Sequence, residues 1–277
     1  MEVLQDLANS RTHGWTPRPT AHDNSDESYK MSDDTNSPIA LAEFIATPRG
    51  GTPDPAKIVC TVIDLTANYT QCGIKGFTKN LQNYALRWTS DLSMLPGVES
   101  YDHFTDEDRG HISIASNTLY QHKTLQLTHT TYDMQEDKDR IRQSRYHGIM
   151  VLSDDTEHPY LYGQVLDLFH IKVENNAPYT ILHNGKDATL HMVWVHWFKL
   201  DNAQGQSGFH TLRYPSVSFC RSDEPDAFGL IHPDEIIRAV HLIPRFKFGH
   251  TEEYLSGNSR GRPETEKDDW RHFNINM

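Results

Sequence analysis

The sequence predicts an α+β fold: a small β-rich, barrel-like domain with short helices, preceded by a disordered N-terminus. Three observations predict it. Residues 9–38 are almost all Ser, Thr, Asp, Asn, Pro and charge, so they bury too little apolar area to offset their ordering entropy. His191–Leu200, HMVWVHWFKL, is apolar on both faces of an extended chain: Met192, Trp194, His196 and Phe198 on one, Val193, Val195 and Trp197 on the other. A strand buried on both sides needs cover on both. From residue 104 to residue 250, short β-branched and aromatic runs alternate with polar turns.

Taken in order, the elements follow local signals. IALAEFIA, residues 39–46, reads as a short helix stopped by the Pro/Gly cluster TPRGGTPDP. Lys57–Leu65 is β-branched and strand-like. Phe77, Leu81, Tyr84 and Trp88 recur at helical spacing and predict an amphipathic helix. Thr105 followed three residues on by Asp108 is a capping-box pattern for a second, short helix. Leu125, Leu127, His129 and Thr131 alternate with polar neighbours as a half-exposed strand does. DMQEDKDRIRQ, residues 133–143, mixes both charge signs and reads as a solvated turn.

GIMVL at 148–152 predicts a strand closed by SDDTEHP, and residues 159–173 predict another, with Gly163 marking a bend or bulge. HNGK at 183–186 predicts the hairpin turn into the two-faced strand. LRYPSVSFC supplies a short strand, as does Phe228–Ile231. Pro233 sits where a first helical residue would, with Asp234 and Glu235 favourably near the helix N-terminus. That helix ends by Arg238, because Val240, Leu242 and Ile243 run into Pro244 as a last strand. The expected organisation is a disordered 1–38, a small helical or mixed segment at 39–103, a β-rich domain at 104–250, and a truncated polar tail at 251–277.

Charge and composition narrow the function classes. The 277 residues carry a net charge of −12, from 38 acids against 26 Lys and Arg. That balance repels a phosphate backbone unless positive charge is gathered, and SRGR at 259–262 is too brief to gather it. Free-DNA binding is disfavoured. Cys60, Cys72 and Cys220 are odd in number and widely spaced, which predicts free thiols in a reducing compartment. MEVLQDLANS lacks the basic and apolar regions of a signal peptide, and no stretch approaches the ~20 apolar residues of a membrane helix. The expected setting is intracellular, without a membrane.

Four blocks carry a resemblance: FTDEDRGHISIASNTLYQHKTLQLTHTTYDMQEDKD, IMVLSDDTEHPYLYGQVLDLFHIKV, WVHWF and DAFGLIHPDEIIRAVHLIPRF. In order and spacing they resemble the C-terminal region of the Plavaka-type DNA transposases of mushroom-forming fungi. The match covers roughly Gly76 to Phe273. It implies nuclear localisation and a fragment without the upstream nuclease core, so no catalytic residue carries over. A weaker similarity is to bromo-adjacent homology domains, small chromatin-associated β-barrels: Tyr162, Gly163 and Val165 match one element, and Val195, Trp197 and Phe198 another.

Chemistry-bearing motifs are sparse. A two-metal nuclease needs carboxylates converging on ions ~4 Å apart, and the spacing of Asp64, Asp91, Asp102 and Asp167 singles out no triad. Nucleophile elbows and phosphate loops are absent from the sequence. His191 and His196 fall on opposite strand faces, and the pair His183 and His191 has no cysteine beside it, so no structural zinc is expected. Tyr160, Tyr162, Trp194, Trp197 and Phe198 form the candidate binding surface, an aromatic cage for a methylated lysine. Core packing is the favoured reading of the same five residues. Catalytic, cofactor and metal residues are therefore expected to be none.

The expected function is a non-catalytic accessory or interaction module derived from a transposase, binding chromatin or other transposase parts. Two alternatives stay open: a DNA-processing subunit acting with a partner chain, or an inert product of a degenerate element.

Overall fold

The structure, a computed structural model, describes residues 29–32, 38–40, 77–91, 104–130, 135–142, 147–153, 158–182, 188–201, 214–224, 226–254 and 268–276. The expected strand at Lys57–Leu65, the HNGK turn, Cys60, Cys72, Asp64 and Asp102 lie outside these residues.

In chain order the elements are β1 (Tyr29–Met31), β2 (Ile39–Ala40), α1 (Phe77–Thr89), α2 (Asp106–Gly110), β3 (Ile112–Ile114), β4 (Thr118–Gln121), β5 (Thr124–Thr130), β6 (Glu136–Arg142) and β7 (His147–Leu152). There follow β8 (Tyr160–Asn175), β9 (Ala188–Leu200), β10 (Ser216–Phe219), β11 (Phe228–Ile231), β12 (Ile236–Pro244), β13 (His250–Thr251), β14 (Asp269–Trp270) and β15 (Phe273–Asn276). The fold is β-rich with short helices, as the sequence predicts.

The pairings β8–β9, β9–β10, β10–β15, β15–β12, β12–β7 and β7–β8 return to their start, closing a ring of six antiparallel strands. Every strand of the ring sends side chains inward. Met150, Tyr162, Phe198, Val217, Phe219, Val240, Leu242, Phe273 and Ile275 form one packed cluster, as a small barrel must fill its interior.

β8 and β9 outrun the ring, and two further layers cover them. On one face α1 packs Phe77, Leu81, Tyr84, Ala85 and Leu86 against Phe169, Ile171, Met192 and Trp194. The periodicity that predicts this helix is the periodicity of that buried stripe. On the other face the three-stranded sheet β1–β5–β6 packs Met31, Leu125, Leu127 and Ile141 against Ile149, Val165, Leu168, Val193 and Val195. The two-faced strand is thus covered on both sides.

Local chemistry sets the helix starts. Asp108 N donates to Thr105 Oγ1 at 3.1 Å, and Thr105 N donates to the Asp108 carboxylate at 2.8 Å, completing the capping box. Pro233 opens a single 3-10 turn, Pro233–Glu235, capped by His232, before β12 begins at Ile236. No helix among the described residues is long and apolar enough to cross a membrane.

Five local expectations are corrected. Within the segment expected to be disordered, Tyr29–Met31 is a strand paired with β5, because Met31 finds a buried place against that sheet. Ile39–Ala40 pairs with β4 as a strand and does not start a helix. The charged stretch expected as a turn is strand β6, in register with β5 from Thr124↔Arg142 to Thr130↔Glu136. It is an edge strand that buries little besides Ile141, and exposed charge is how edge strands discourage further pairing. Gly163 is not the bulge; the register of β8 against β9 shifts between Val165 and Asp167. Finally, the polar tail ends in β15, with Phe273 and Ile275 inside the barrel.

Candidate functional site

The five aromatic residues of the expected binding surface divide among three clusters, with Tyr160, Tyr162 and Phe198 at one, Trp194 in a second and Trp197 beside a third. Tyr162 and Phe198 lie inside the barrel, and Trp194 lies under α1, in edge contact with Phe77 at 5.4 Å between centroids. Tyr160 and Trp197 are half-buried and border different clusters. Tyr162 keeps its hydroxyl buried without a hydrogen-bond partner among the described residues. Burial pushes its pKa well up, so it stays a neutral phenol. Tyr162, Trp194 and Phe198 are thus buried in the core, and Tyr160 and Trp197 stand at its edge.

Trp197 has a particular seat. It stands opposite Gly163 across β8–β9, and a Cβ added at Gly163 would meet its ring at 3.1 Å. A Cβ at Gly229 would meet its Nε1 at 2.6 Å. The indole therefore lies over two glycine backbones, filling space their absent side chains leave.

His196, on the face opposite to Trp197, is fully buried between the rings of Phe219 and Phe228, stacked at 4.4 and 4.5 Å. Its Nε2 is 2.8 Å from the Cys220 carbonyl oxygen. It points away from His191, as alternation along a strand requires.

The residues that do converge are three histidines. His170 and His191 are direct cross-strand partners in β8 and β9. His122 follows β4, with its backbone N–H bonded to the Leu168 carbonyl, one diagonal step from His170. All three rings emerge beside the seam between β8–β9 and the three-stranded sheet. One nitrogen from each lies within 4.8 Å of the other two. Among the described residues this is the one group of three or more potential ligands that could share an ion.

Neighbours fix each ring. His122 Nδ1 is 2.8 Å from the Ser32 carbonyl oxygen, and its Nε2 is 2.7 Å from His170 Nδ1. His191 Nδ1 is 2.9 Å from the Tyr29 hydroxyl. His170 stacks on Tyr120 with centroids 4.5 Å apart and planes at 1°. Tyr29 also meets His232 edge-on, and His232 stacks on Trp88 at 4.2 Å. From α1, Tyr84 donates its hydroxyl hydrogen to the His191 carbonyl. Burial, then the neighbouring imidazoles, pushes His170 and His191 down to about 4. Both are neutral at pH 7.

Sequence reasoning missed this group because it tested His191 only against His183 and His196. His122, His170 and His191 are far apart in the chain. Only the register of β4, β8 and β9 joins them. The usable signal was the β8–β9 hairpin itself, whose pairing sets His170 opposite His191.

Of the four acids considered for nuclease chemistry, two are described. Asp167 is buried at the bulge and accepts from Gln121 Nε2 at 2.6 Å and from the Leu168 N–H. Asp91 is exposed beyond α1, its N–H bonded to the Tyr179 carbonyl. They belong to different parts of the fold.

No family model, curated protein or solved structure matches the chain.

Proposed function

We propose that this chain is a non-catalytic interaction module derived from the C-terminal region of a Plavaka-type fungal transposase, acting in the nucleus. Its partner is a protein, either a chromatin protein or another part of the transposase, rather than free DNA. The supporting observation is the placement of Asp91 and Asp167. Asp91 and Asp167 stand on separate elements, and Asp167 spends an oxygen on Gln121 and the Leu168 N–H. A two-metal nuclease needs such groups converging on ions about 4 Å apart.

Two further features agree with the reading. The order and spacing of the four sequence blocks carry the family resemblance. The net charge of −12 works against a bare phosphate backbone.

The test is a binding titration of the full chain against nucleosomes, with free DNA of equal length in parallel and cleavage assayed with Mg²⁺ and Mn²⁺. Saturable nucleosome binding without free-DNA binding is the expected result. Metal-dependent cleavage lost on replacing a set of carboxylates would overturn the reading in favour of a DNA-processing subunit.

A further inference from the structure

We propose that His122, His170 and His191 form a binding site for one divalent transition-metal ion of the zinc class, which fastens strand β1 to the β4–β8–β9 wall. The proposal stands independently of the transposase-derived reading.

The group looks like a ligand set held by outer partners. A carbonyl oxygen can only accept, so the contact from His122 Nδ1 to Ser32 puts the ring hydrogen on Nδ1. The lone pair of the neutral ring is then on Nε2, the atom facing His170. In the tautomer whose Nδ1–H donates to the Tyr29 hydroxyl oxygen, His191 keeps its Nε2 lone pair for an ion. His170 is held in plane by Tyr120. Metal-ligating histidines characteristically have the other ring nitrogen bonded to a carbonyl, carboxylate or other polar partner, which fixes tautomer and orientation. His122 and His191 both meet that description.

The donor chemistry selects the ion. Imidazole suits Zn²⁺, Cu²⁺, Ni²⁺ and Co²⁺, whereas Mg²⁺ and Ca²⁺ want oxygen ligands. Three imidazoles around a tetrahedral ion, each at ~2.0–2.1 Å, place their nitrogens about 3.4 Å apart. The nitrogens here lie within 4.8 Å of one another, with His122 Nε2 and His170 Nδ1 at 2.7 Å. Loading therefore opens the His122–His170 pair by roughly 0.7 Å and draws the third nitrogen inward, a change of side-chain torsion rather than of backbone.

Without an ion, the 2.7 Å contact is a hydrogen bond. His122 Nε2 accepts, so His170 Nδ1 donates. On loading, the His170 hydrogen moves to Nε2, and Nδ1 turns its lone pair to the metal. Three protein ligands leave the fourth position to water or to a side chain brought by a partner.

The site has a structural consequence. Tyr29 and Ser32, which hold two of the three rings, belong to β1 and the residue after it, while the rings come from β8, β9 and the residue that follows β4. An ion at the histidines therefore braces the docking of β1.

The experiment is a zinc titration of the full chain, stripped with a chelator and competed against a chromophoric zinc indicator. The wild-type chain is expected to bind one Zn²⁺ tightly. His170→Gln and His191→Gln should each weaken that binding by about 100-fold or more, and Tyr29→Phe by about 10-fold. His241→Gln, a histidine away from the group, should leave it unchanged. Near-UV circular dichroism of the metal-free variants reports folding. If the glutamine variants do not fold, X-ray absorption on the zinc-loaded wild-type chain decides. Three imidazole nitrogens at ~2.0–2.1 Å support the site, and an oxygen- or sulfur-dominated shell overturns it. One-to-one binding weaker than about 10 µM, or folded variants that bind as the wild type does, also overturns it.

Discussion

Gly229 and Trp197 share one volume: the indole of Trp197 occupies the place where a side chain on Gly229 would stand, 2.6 Å from its Nε1. Gly229→Ala must therefore push the ring off β11 or strain the strand. Overpacking of this kind costs about 1–3 kcal/mol, read as a lower urea midpoint. Trp197→Leu removes the obstacle, so the two changes together should cost less than their sum, since contacting sites couple. Strict additivity in the double-mutant cycle would show that the indole does not press on Gly229.

Phe273 closes the barrel from the far end of the chain. It is buried, and it meets Phe198 and Phe219 edge-on at 5.7 and 5.5 Å. Its strand joins β10 to β12, without which the ring of pairings is open. Phe273→Ala should cost about 3–5 kcal/mol, the range for removing a buried aromatic ring. Chemical denaturation of the full chain checks it. A loss below about 1 kcal/mol would mean that β15 is an addition to the barrel and not part of its wall.

How legible these features were depends on how local their causes are. The α1 stripe, the Thr105 box and the Pro233 turn are written within a few residues and were readable. So was β9, because apolar residues on both faces of an extended run admit few other readings. β6 was not: its one deeply buried side chain, Ile141, lies among charges, and pairing with β5 makes it a strand. β15 carried a period-two signal in Phe273 and Ile275, masked by the polar stretch before it. The histidine group had no local signal. Its members are gathered by strand register, and register is a property of the folded sheet. The barrel was thus legible as a class and its closure was not, because closure depends on the late strand β15 pairing with both β10 and β12.

His147 and His241 are cross-strand partners in β7 and β12, with rings 5.6 Å apart. Burial, then His241 and then Arg142, holds His147 below the ordinary imidazole value. The folded chain therefore resists a proton that the unfolded chain accepts. The stability this represents is present above pH about 6.5 and is lost as the pH falls below it. In metal-free buffer the urea midpoint should fall from pH 7 to pH 5. His241→Gln, which removes the facing imidazole but not Arg142, should reduce that fall. An identical pH slope in the variant would show that the pair is not coupled.

Asn175 bolts the C-terminal end of α1 to the end of β8. It is fully buried, and its Nδ2 donates to the Thr89 hydroxyl and the Ser90 hydroxyl at 2.9 Å each and to the Thr89 carbonyl at 3.2 Å. Its Oδ1 accepts from the Ala177 N–H at 2.9 Å. Asn175→Ala takes from the Ala177 N–H its acceptor and from the Ser90 hydroxyl its donor in a buried site, while the Thr89 hydroxyl keeps its bond to the Ala85 carbonyl, at roughly 1–3 kcal/mol. Asn175→Asp is nearly the same shape but puts a carboxylate oxygen where Nδ2 donates, against the Thr89 carbonyl. An unpaired buried charge costs more than a missing hydrogen bond, so the aspartate variant should be the less stable of the two at pH 7. Lowering the pH far enough to protonate that carboxyl restores a donor and should narrow the gap between them. If the alanine variant is the weaker at neutral pH, the amide is packing filler and Thr89 and Ser90 satisfy one another without it.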